Sequence, residues 1–373
     1  MKHLHIASMV LSAVVVVCSP LTVTGAESPG NQPVPLTPWG DPDLRGVWTT
    51  ATLTPLERQR SLEAQDLLSD AQAADLERQT VDQRAASDGV ARAGSVGGYN
   101  QVWMDAGTKI TGSRRTSLIV DPEDGRIPWK PRAGVENEKE RRRYGVGPYE
   151  TWTDLDTGER CITDGFPNMV PIQPYNMNFR IVQTEDHVAY LHEMYHEVRI
   201  IPLDGRPHLD LRIGQWLGDA RGWWEGETLV VETTNFADLT QYYWSSPWRK
   251  ARPTFRLVER FRRLDAETID YRVTVEDPTM FTQPWTVSAP MATNQASRGV
   301  TPGPVLEYAC HEGNYAMPNV LGGARAAEAE QTRLRDLQQD GRPIVQELRA
   351  SLGAQPVEQD GQPIDRSLGS AWQ

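Results

Sequence analysis

Short runs of β-branched and aromatic residues, separated by Gly, Pro, Asp and Asn, follow one another from about Trp103 onward. Their regular spacing, with turn pairs such as Asp204-Gly205 and Glu225-Gly226, is typical of an antiparallel meander. Thr254–Arg263 and Thr268–Glu276 together predict a hairpin. We therefore expect a mainly β fold, either a sandwich or a half-open lipocalin-like barrel. The candidate strands are Ser117–Val120, Phe179–Gln183, His187–Glu193, Glu197–Pro202, Leu229–Thr233, Thr254–Arg262, Thr268–Val275, Trp285–Ser288 and Val305–Ala309.

The segments on either side of this β-rich part have a different pattern. Pro55–Arg84 carries leucines among charged residues and begins with the cap and first-turn pair Thr54-Pro55, which favours one or two amphipathic helices. Gly218–Gly226 has the composition of a tight turn that leads into the strand after it. Ala324–Leu337 predicts a further helix. The expected units are a signal peptide (1–26), a proline-rich extended and helical segment (27–100), a β-rich domain (101–320), and a C-terminal helix with a polar tail (321–373).

The N-terminus has the pattern of an export signal. Lys2 precedes the apolar stretch Ile6–Cys18, and Thr24-Gly25-Ala26 places small residues where a signal peptidase cuts. The apolar stretch is short for a membrane span and is soon followed by Pro20. The sequence predicts a periplasmic or secreted protein without a stable membrane span after cleavage, and an uncleaved anchor is the alternative.

Composition argues against a nucleic-acid partner. The chain has 38 Lys and Arg against 50 Asp and Glu, a formal net charge of -12. Phosphate binding requires clustered cations, and the basic cluster Lys139–Arg143 is interspersed with glutamates. We expect that cluster to be a solvated surface.

Two cysteines remain once the signal is removed. Cys161 and Cys310 are an even pair in an oxidising compartment, so we expect one disulfide, with two separately buried thiols as the alternative. A Cys/His metal site has less support, because His311 is the only histidine close to either cysteine in sequence.

Six segments stand out as motifs: WGDPDLRGVW, RTSLIVDPEDGRIP, IIPLDGRPH, GWWEGETLVVETTNF, TVEDPTMFTQPW and YACHEGNY. The chain resembles, over roughly Trp39–Arg325, a large group of exported bacterial proteins that are mostly hypothetical. The resemblance implies a β-rich exported protein. It implies no catalytic residue, because none is established for the group.

The segment HEMYH, residues 192–196, has two interpretations. On a helix, His192 and His196 share a face and chelate Zn²⁺ while Glu193 acts as general base. On a strand, the two histidines lie roughly 13 Å apart, too far for one ion. The β-branched and aromatic flanks favour the strand. The sequence therefore predicts no metal site, and a zinc hydrolase is the minority alternative.

Histidines and carboxylates are the candidate acid/base groups. In the strand interpretation His192, His196 and Tyr190 face one side, and Glu193 the other. A second polar cluster, with His311 and Glu312, follows Cys310 at an expected strand end. Histidines in a cavity would titrate near neutral pH, as acid/base catalysis requires. The alternative is that these histidines only satisfy buried hydrogen bonds. The candidate catalytic residues are His192, Glu193, His196, His311 and Glu312.

Aromatic and basic side chains supply the candidate ligand contacts. Trp223 and Trp224 can stack on sugar rings or flat apolar ligands. Tyr190 and Arg115 complete this set, Arg115 as a partner for a carboxylate, with a solvated Arg114-Arg115 pair as the favoured alternative. The chain has no nucleophile elbow, Walker loop, dinucleotide fingerprint or CxxC pair, and we expect no cofactor.

Three functions are compatible with these features. The first is an exported protein with a cavity for a small, partly apolar or carbohydrate-like molecule, which acts as a binding protein or as a cofactor-free lyase, isomerase or hydrolase. The second is a non-catalytic module that binds a glycan or a protein. The third is the HExxH zinc hydrolase.

We predict that export removes residues 1–26. Intact-mass analysis of the exported protein should give a chain that begins at Glu27, since Ala26 completes the small-residue site. An exported form that keeps Met1 would show that the N-terminus is an anchor instead.

Overall fold

Eleven strands form one antiparallel sheet in the computed structural model of the chain. The structure describes residues 34–88, 107–135, 149–151, 154–155, 157–163, 176, 178–237, 254–293 and 305–340. The predicted signal peptide, the basic cluster Lys139–Arg143 and the tail after Gly341 lie outside the described residues.

The strands and the two long helices are numbered in chain order. The strands are β1 (Gly46–Thr49), β2 (Ile119–Asp121), β3 (Asn178–Gln183), β4 (His187–His192), β5 (Val198–Pro202), β6 (Asp219–Glu225), β7 (Thr228–Thr234), β8 (Arg256–Arg263), β9 (Thr268–Glu276), β10 (Trp285–Ser288) and β11 (Met291–Ala292). The helices are α1 (Asp70–Ser87) and α2 (Ala316–Gln339).

The strand order is β5-β4-β3-β1-β11-β9-β8-β7-β6, with β10 beside β9 and β2 beside β10. The sheet is not closed, because β5 and β6 stand at its two ends and no ladder joins them within the described residues. We call the line along which they approach each other the seam. At one end of the seam they touch: a Cβ on Gly222 would lie 2.6 Å from Leu203 Cδ2 and 2.9 Å from Ile201 Cγ2. A side chain at this position would displace Leu203 and Ile201.

The core is formed by every second residue of the strands, whose side chains point to the same face of the sheet. On β9, Ile269, Tyr271, Val273 and Val275 are buried, while the residues between them are more exposed. The facing strands contribute the large side chains Trp48, Phe179 and Trp285, each fully buried. Burial of apolar surface stabilises the fold by about 25 cal/mol for each Å² removed from water. The expectation of a mainly β, antiparallel fold is confirmed, and so is the β8–β9 hairpin.

Strand β6 corrects one prediction. The sequence Gly218–Gly226 was expected to form a tight turn, but Asp219–Glu225 is a seven-residue strand paired along its length with β7. The turn is confined to Gly226 and Glu227, between the two strands. Cross-strand pairing has overridden the low strand propensity of glycine.

The C-terminal strand prediction is also wrong. Residues 305–309 form no strand, and they attach to the domain through a hydrogen bond in which the Tyr308 backbone N–H donates to His196 Nε2 at 2.8 Å. The short strands β1 and β11 were not predicted. Both lie in the middle of the sheet. They are too short to be evident from the sequence, and they form because they pair with a strand on each side.

The segment before α1 is less helical than expected. Residues 53–68 contain one turn of 3-10 helix, Arg60–Leu62, and several of the others bond through their backbone to residues 109–125. One example is the Leu68 N–H, which donates to the Arg114 carbonyl at 2.8 Å. The helix begins only at Asp70, where Ser69 and Gln72 form a reciprocal capping box. The pair Thr54-Pro55 therefore does not start a helix.

A buried ion pair crosses the interior. Arg199 on β5 makes two hydrogen bonds to Glu259 on β8, at 2.8 and 3.2 Å, and a third to Thr233 Oγ1 on β7 at 3.0 Å. The Tyr271 hydroxyl on β9 donates to Glu259 Oε1 at 3.0 Å. The two charged side chains are 5% and 0% exposed. This Arg199 network connects one edge of the sheet to three strands near the other.

The predicted disulfide is confirmed. Cys161 and Cys310 are bonded, with their Cα atoms 5.7 Å apart. The bond fixes residues 305–310 to residues 157–163, and Asn314 Nδ2 lies 2.9 Å from Cys161 Sγ. Within the described part of the chain, no helix has both the length and the apolar character needed to cross a membrane.

We predict that Glu259→Gln lowers the free energy of unfolding by about 3–5 kcal/mol, the usual cost of leaving a buried charge without its partner. The substitution keeps the shape of the side chain but leaves the Arg199 guanidinium without a carboxylate in the interior. Urea denaturation followed by tryptophan fluorescence measures the change.

The matched control is Glu225→Gln, which breaks the surface pair between Glu225 and Arg260, each 46% exposed. Exposed pairs contribute about 0–1 kcal/mol, so the control should be nearly neutral. Equal effects of the two substitutions would show that the buried pair has no special role.

Candidate functional site

A groove opens at the end of the seam opposite Gly222. Its volume is about 570 Å³. Its walls are Val198–Ile200 of β5 on one side and Gly214–Ala220, the loop into β6, on the other. The loop lies against the end of β7 at Gly218, whose φ is +70° and whose Cβ position would be 2.6 Å from the Thr234 carbonyl oxygen. A side chain there would displace the wall of the groove.

The groove lining is apolar apart from two charged residues. Val198 and Ile200 are 50% and 63% exposed, and Trp216 and Leu217 are half-buried across from them. These exposed apolar side chains stand beside an unpaired strand edge. Such a surface is unusual in a folded protein unless something binds to it.

Both charged residues of the lining are neutralised by neighbours. Arg199 is paired with Glu259 in the interior. Asp219 forms an ion pair with Arg221, with Oδ1 2.7 Å from Nη1, and accepts a hydrogen bond from the Leu209 backbone N–H at 2.9 Å. The groove therefore presents little net charge to a ligand.

His208 attaches the loop to the sheet. Its Nδ1 lies 3.0 Å from Asp219 Oδ2, and its Nε2 lies 3.0 Å from Glu232 Oε1. Glu232 in turn pairs with Arg256, which also bonds to Glu276 at 2.8 Å. Since both ring nitrogens are engaged, this histidine positions the loop rather than acting as a free base.

His192 lies in the interior, at the end of β4. It is 3% exposed, and neither ring nitrogen has a hydrogen-bond partner. Burial lowers the pKa of His192 to about 4. The imidazole is therefore neutral at pH 7.

Tyr190 shares the inward face of β4 with His192. Its ring stacks on Phe179 with the centroids 4.8 Å apart, and its buried hydroxyl has no hydrogen-bond partner. Burial raises the pKa of Tyr190 well above its usual range. The predicted common face of Tyr190 and His192 is thus observed, as two neutral polar groups inside the core.

The HEMYH segment is neither a helix nor a continuous strand. β4 ends at His192, and a tight turn follows at Met194–His196. Tyr195 and His196 have φ values of 57° and 52°, a left-handed conformation that is rare outside glycine. The prediction that His192 and His196 share a face is wrong, because this turn directs the exposed His196 to the Tyr308 backbone N–H.

The remaining candidate acid/base groups do not join His192. Glu193 is buried and accepts a hydrogen bond from Asn176 Nδ2 at 2.7 Å. His311 and Glu312 are exposed in the turn that precedes α2. Among the described residues, no three His, Cys, Asp or Glu side chains are grouped as ligands for a metal ion.

The candidate ligand contacts are also dispersed. Trp223 is 40% exposed and donates to Glu225 at 3.1 Å, whereas Trp224 packs against the core from the opposite face of β6. The two indoles therefore form no common stacking surface. Arg115 is half-buried in the segment that bridges to Leu67.

Sequence reasoning missed the residues that shape the groove. The available signal was the two-residue period of the strands. Arg199 lies two residues from Ile201 in β5, on the same buried face, and Glu259 lies between Leu257 and Phe261 on the buried face of β8. A charged residue in the buried phase of a strand indicates an internal partner. The pairing of His208 with Asp219 and Glu232 had no comparable signal.

Comparisons of the chain with protein-family models, with curated proteins and with solved structures find no match. The function is therefore inferred from the site.

We predict that His192 makes the protein less stable in mild acid. Its pKa is about 4 when folded and near 6.5 when exposed, so the unfolded state binds more protons between these values. The stabilisation is complete above pH 6.5 and is lost as the pH falls towards 4, to a limit of about 3 kcal/mol.

Urea denaturation at a series of pH values tests this. His192→Gln should reduce the slope of stability between pH 6.5 and 4. His311→Gln, an exposed control, should retain the slope of the wild type. An unchanged slope in the His192 variant would contradict the prediction.

Proposed function

We propose that the protein binds a small, partly apolar molecule in the groove at the open end of the seam. The observation that supports this is the groove itself, with a volume of about 570 Å³. Ligand sites typically have volumes of about 300–1,000 Å³ and a mostly apolar lining with a few polar groups. Val198, Ile200, Trp216 and Leu217 supply the apolar lining, and the Gln215 amide and the strand edge supply polar groups.

A cofactor-free lyase, isomerase or hydrolase is a second candidate. The observation in its favour is the buried, neutral His192, because a neutral imidazole accepts a proton at pH 7. Binding is the better-supported function, because His192, His196 and His311 occupy three separate environments. The zinc hydrolase requires a helix, whereas His192 and His196 lie on a strand and a turn.

We also propose that the protein is exported and that its sheet forms a half-open barrel. We infer that the sheet curls in the lipocalin manner until β5 faces β6, and that the groove is the part of the barrel left open. The disulfide supports export, since such bonds persist in oxidising compartments. Membership of the group of exported bacterial proteins rests on the six sequence motifs.

The test uses N-phenyl-1-naphthylamine, an uncharged fluorescent probe that brightens in apolar sites. We expect saturable binding of one probe per chain. Ile200→Ser removes apolar surface from the groove and should weaken binding about tenfold, equivalent to about 1.4 kcal/mol.

The matched control is Leu264→Ser, which removes an exposed leucine from the β8–β9 turn, away from the groove. This variant should bind the probe as the wild type does. Equal loss in both variants, or no saturable binding to the wild type, would refute a binding site in the groove.

A further inference from the structure

We infer that the ligand of this groove is a short, extended, uncharged peptide chain that pairs with the edge of β5 as an added strand. The inference rests on the proposed function and specifies the class of ligand. Four features of the groove support it: the direction of the backbone groups on β5, the apolar surface beside them, the neutralised charges, and the wedge shape of the seam.

The register of β4 and β5 shows which backbone groups face the groove. The His192 N–H donates to the Glu197 carbonyl at 2.9 Å, and the Leu203 N–H donates to the Asp186 carbonyl at 2.8 Å. Hydrogen-bonded positions alternate along an antiparallel pair, so Arg199 and Ile201 also bond to β4.

The intervening residues, Val198 and Ile200, direct their N–H and C=O groups away from β4 and towards the groove. These two residues are about 7 Å apart along the strand, the distance between alternate residues of any extended chain. A peptide beside β5 can therefore exchange two pairs of hydrogen bonds with it, the usual mode of strand addition.

Apolar surface continues from the groove across the outer face of the sheet. Ile200 lies opposite Ala189, and Ala189 lies opposite Val182 on β3, which is 45% exposed. A strand added beside β5 would extend this row by one position. Its outward side chain would pack against Ile200, so apolar or β-branched residues are favoured there.

Charge favours an uncharged occupant. In the loop that follows β5, Arg206 pairs with Asp204 and Arg212 pairs with Asp210. Together with the pairing of Arg199 and of Asp219, this leaves the charged side chains of the described groove wall balanced, so none is available to recognise an ionic group. Placing an ion there would cost desolvation without a compensating partner.

The wedge shape of the seam limits the length of the ligand. Pro202 has no N–H to donate, and Gly222 closes the seam beyond it. Only the stretch Val198–Ile200 remains accessible along the edge. A few residues of a peptide fit this stretch, whereas a full-length strand from a second folded protein does not.

The test uses the blocked peptide acetyl-Val-Thr-Val-Thr-Val-amide and isothermal titration calorimetry with the full chain. We expect binding that depends on alternate amides. N-methylation of one alternate set removes the N–H groups that face β5 and should weaken binding at least tenfold. N-methylation of the other set should change it less than threefold.

Two protein variants make the complementary measurement. Ile200→Pro removes the N–H that faces the groove without removing one from the β4–β5 ladder, and should weaken peptide binding about tenfold. Leu264→Ser, in the exposed β8–β9 turn away from the groove, leaves the β5 edge intact and should bind the peptide as the wild type does. Circular dichroism checks the fold of both variants.

Hydrogen exchange of the wild type gives an independent result if the proline variant does not fold. Peptide should slow exchange at the Val198 and Ile200 amides. The Arg199 and Ile201 amides, already bonded to β4, should change little.

The outcomes separate this inference from the proposed function. If the fluorescent probe binds and the peptide does not, strand addition is wrong and the groove remains a small-molecule site. If both alternate sets of N-methylated peptides bind equally well, strand addition is also wrong. If neither the probe nor the peptide binds, both proposals fail.

Discussion

The pair between Arg199 and Glu259 is the interaction on which the shape of this protein depends. Arg199 stands on the first strand of the sheet order and Glu259 on the third from the other end, so they meet only if the sheet curls through the intervening strands. Because a buried ion pair costs desolvation, it adds little net stability over an apolar pair. Thr233 and Tyr271 add hydrogen bonds to the two charged side chains, so an arrangement of strands that separated the pair would leave both charges buried without these partners.

The seam follows from this curl. The Arg199 network holds β5 close to β6 without hydrogen bonds between them, and Gly222 admits Ile201 and Leu203 at one end. At the other end the loop before β6 is fixed to β7 by Gly218 and to the sheet by His208. The groove is thus bounded by rigid elements on each side. A site of this kind needs little reorganisation when a ligand enters.

The strands that could be predicted from the sequence are those in which apolar and polar residues alternate regularly. β9 and β10 alternate strictly, and both were expected within a residue of their bounds. β6 was missed, because its glycine and adjacent tryptophans lack that alternation and it exists through pairing with β7. The candidate site was predicted less well. HEMYH showed two histidines at fixed spacing, but the left-handed residues Tyr195 and His196 separate them, and no local pattern encodes that turn.

An exposed strand edge is a liability that most proteins cover, because its unpaired backbone groups invite association with other chains. This chain covers one end of the β5 edge with Pro202 and the close approach of Gly222. It leaves Val198 and Ile200 exposed at the other end, next to the apolar side chains of the groove. A further ladder between β5 and β6 would have joined the two ends of the sheet. The open end is therefore the part of the structure that stability alone does not explain, and it is where we propose that a ligand adds the hydrogen bonds that the sheet itself lacks.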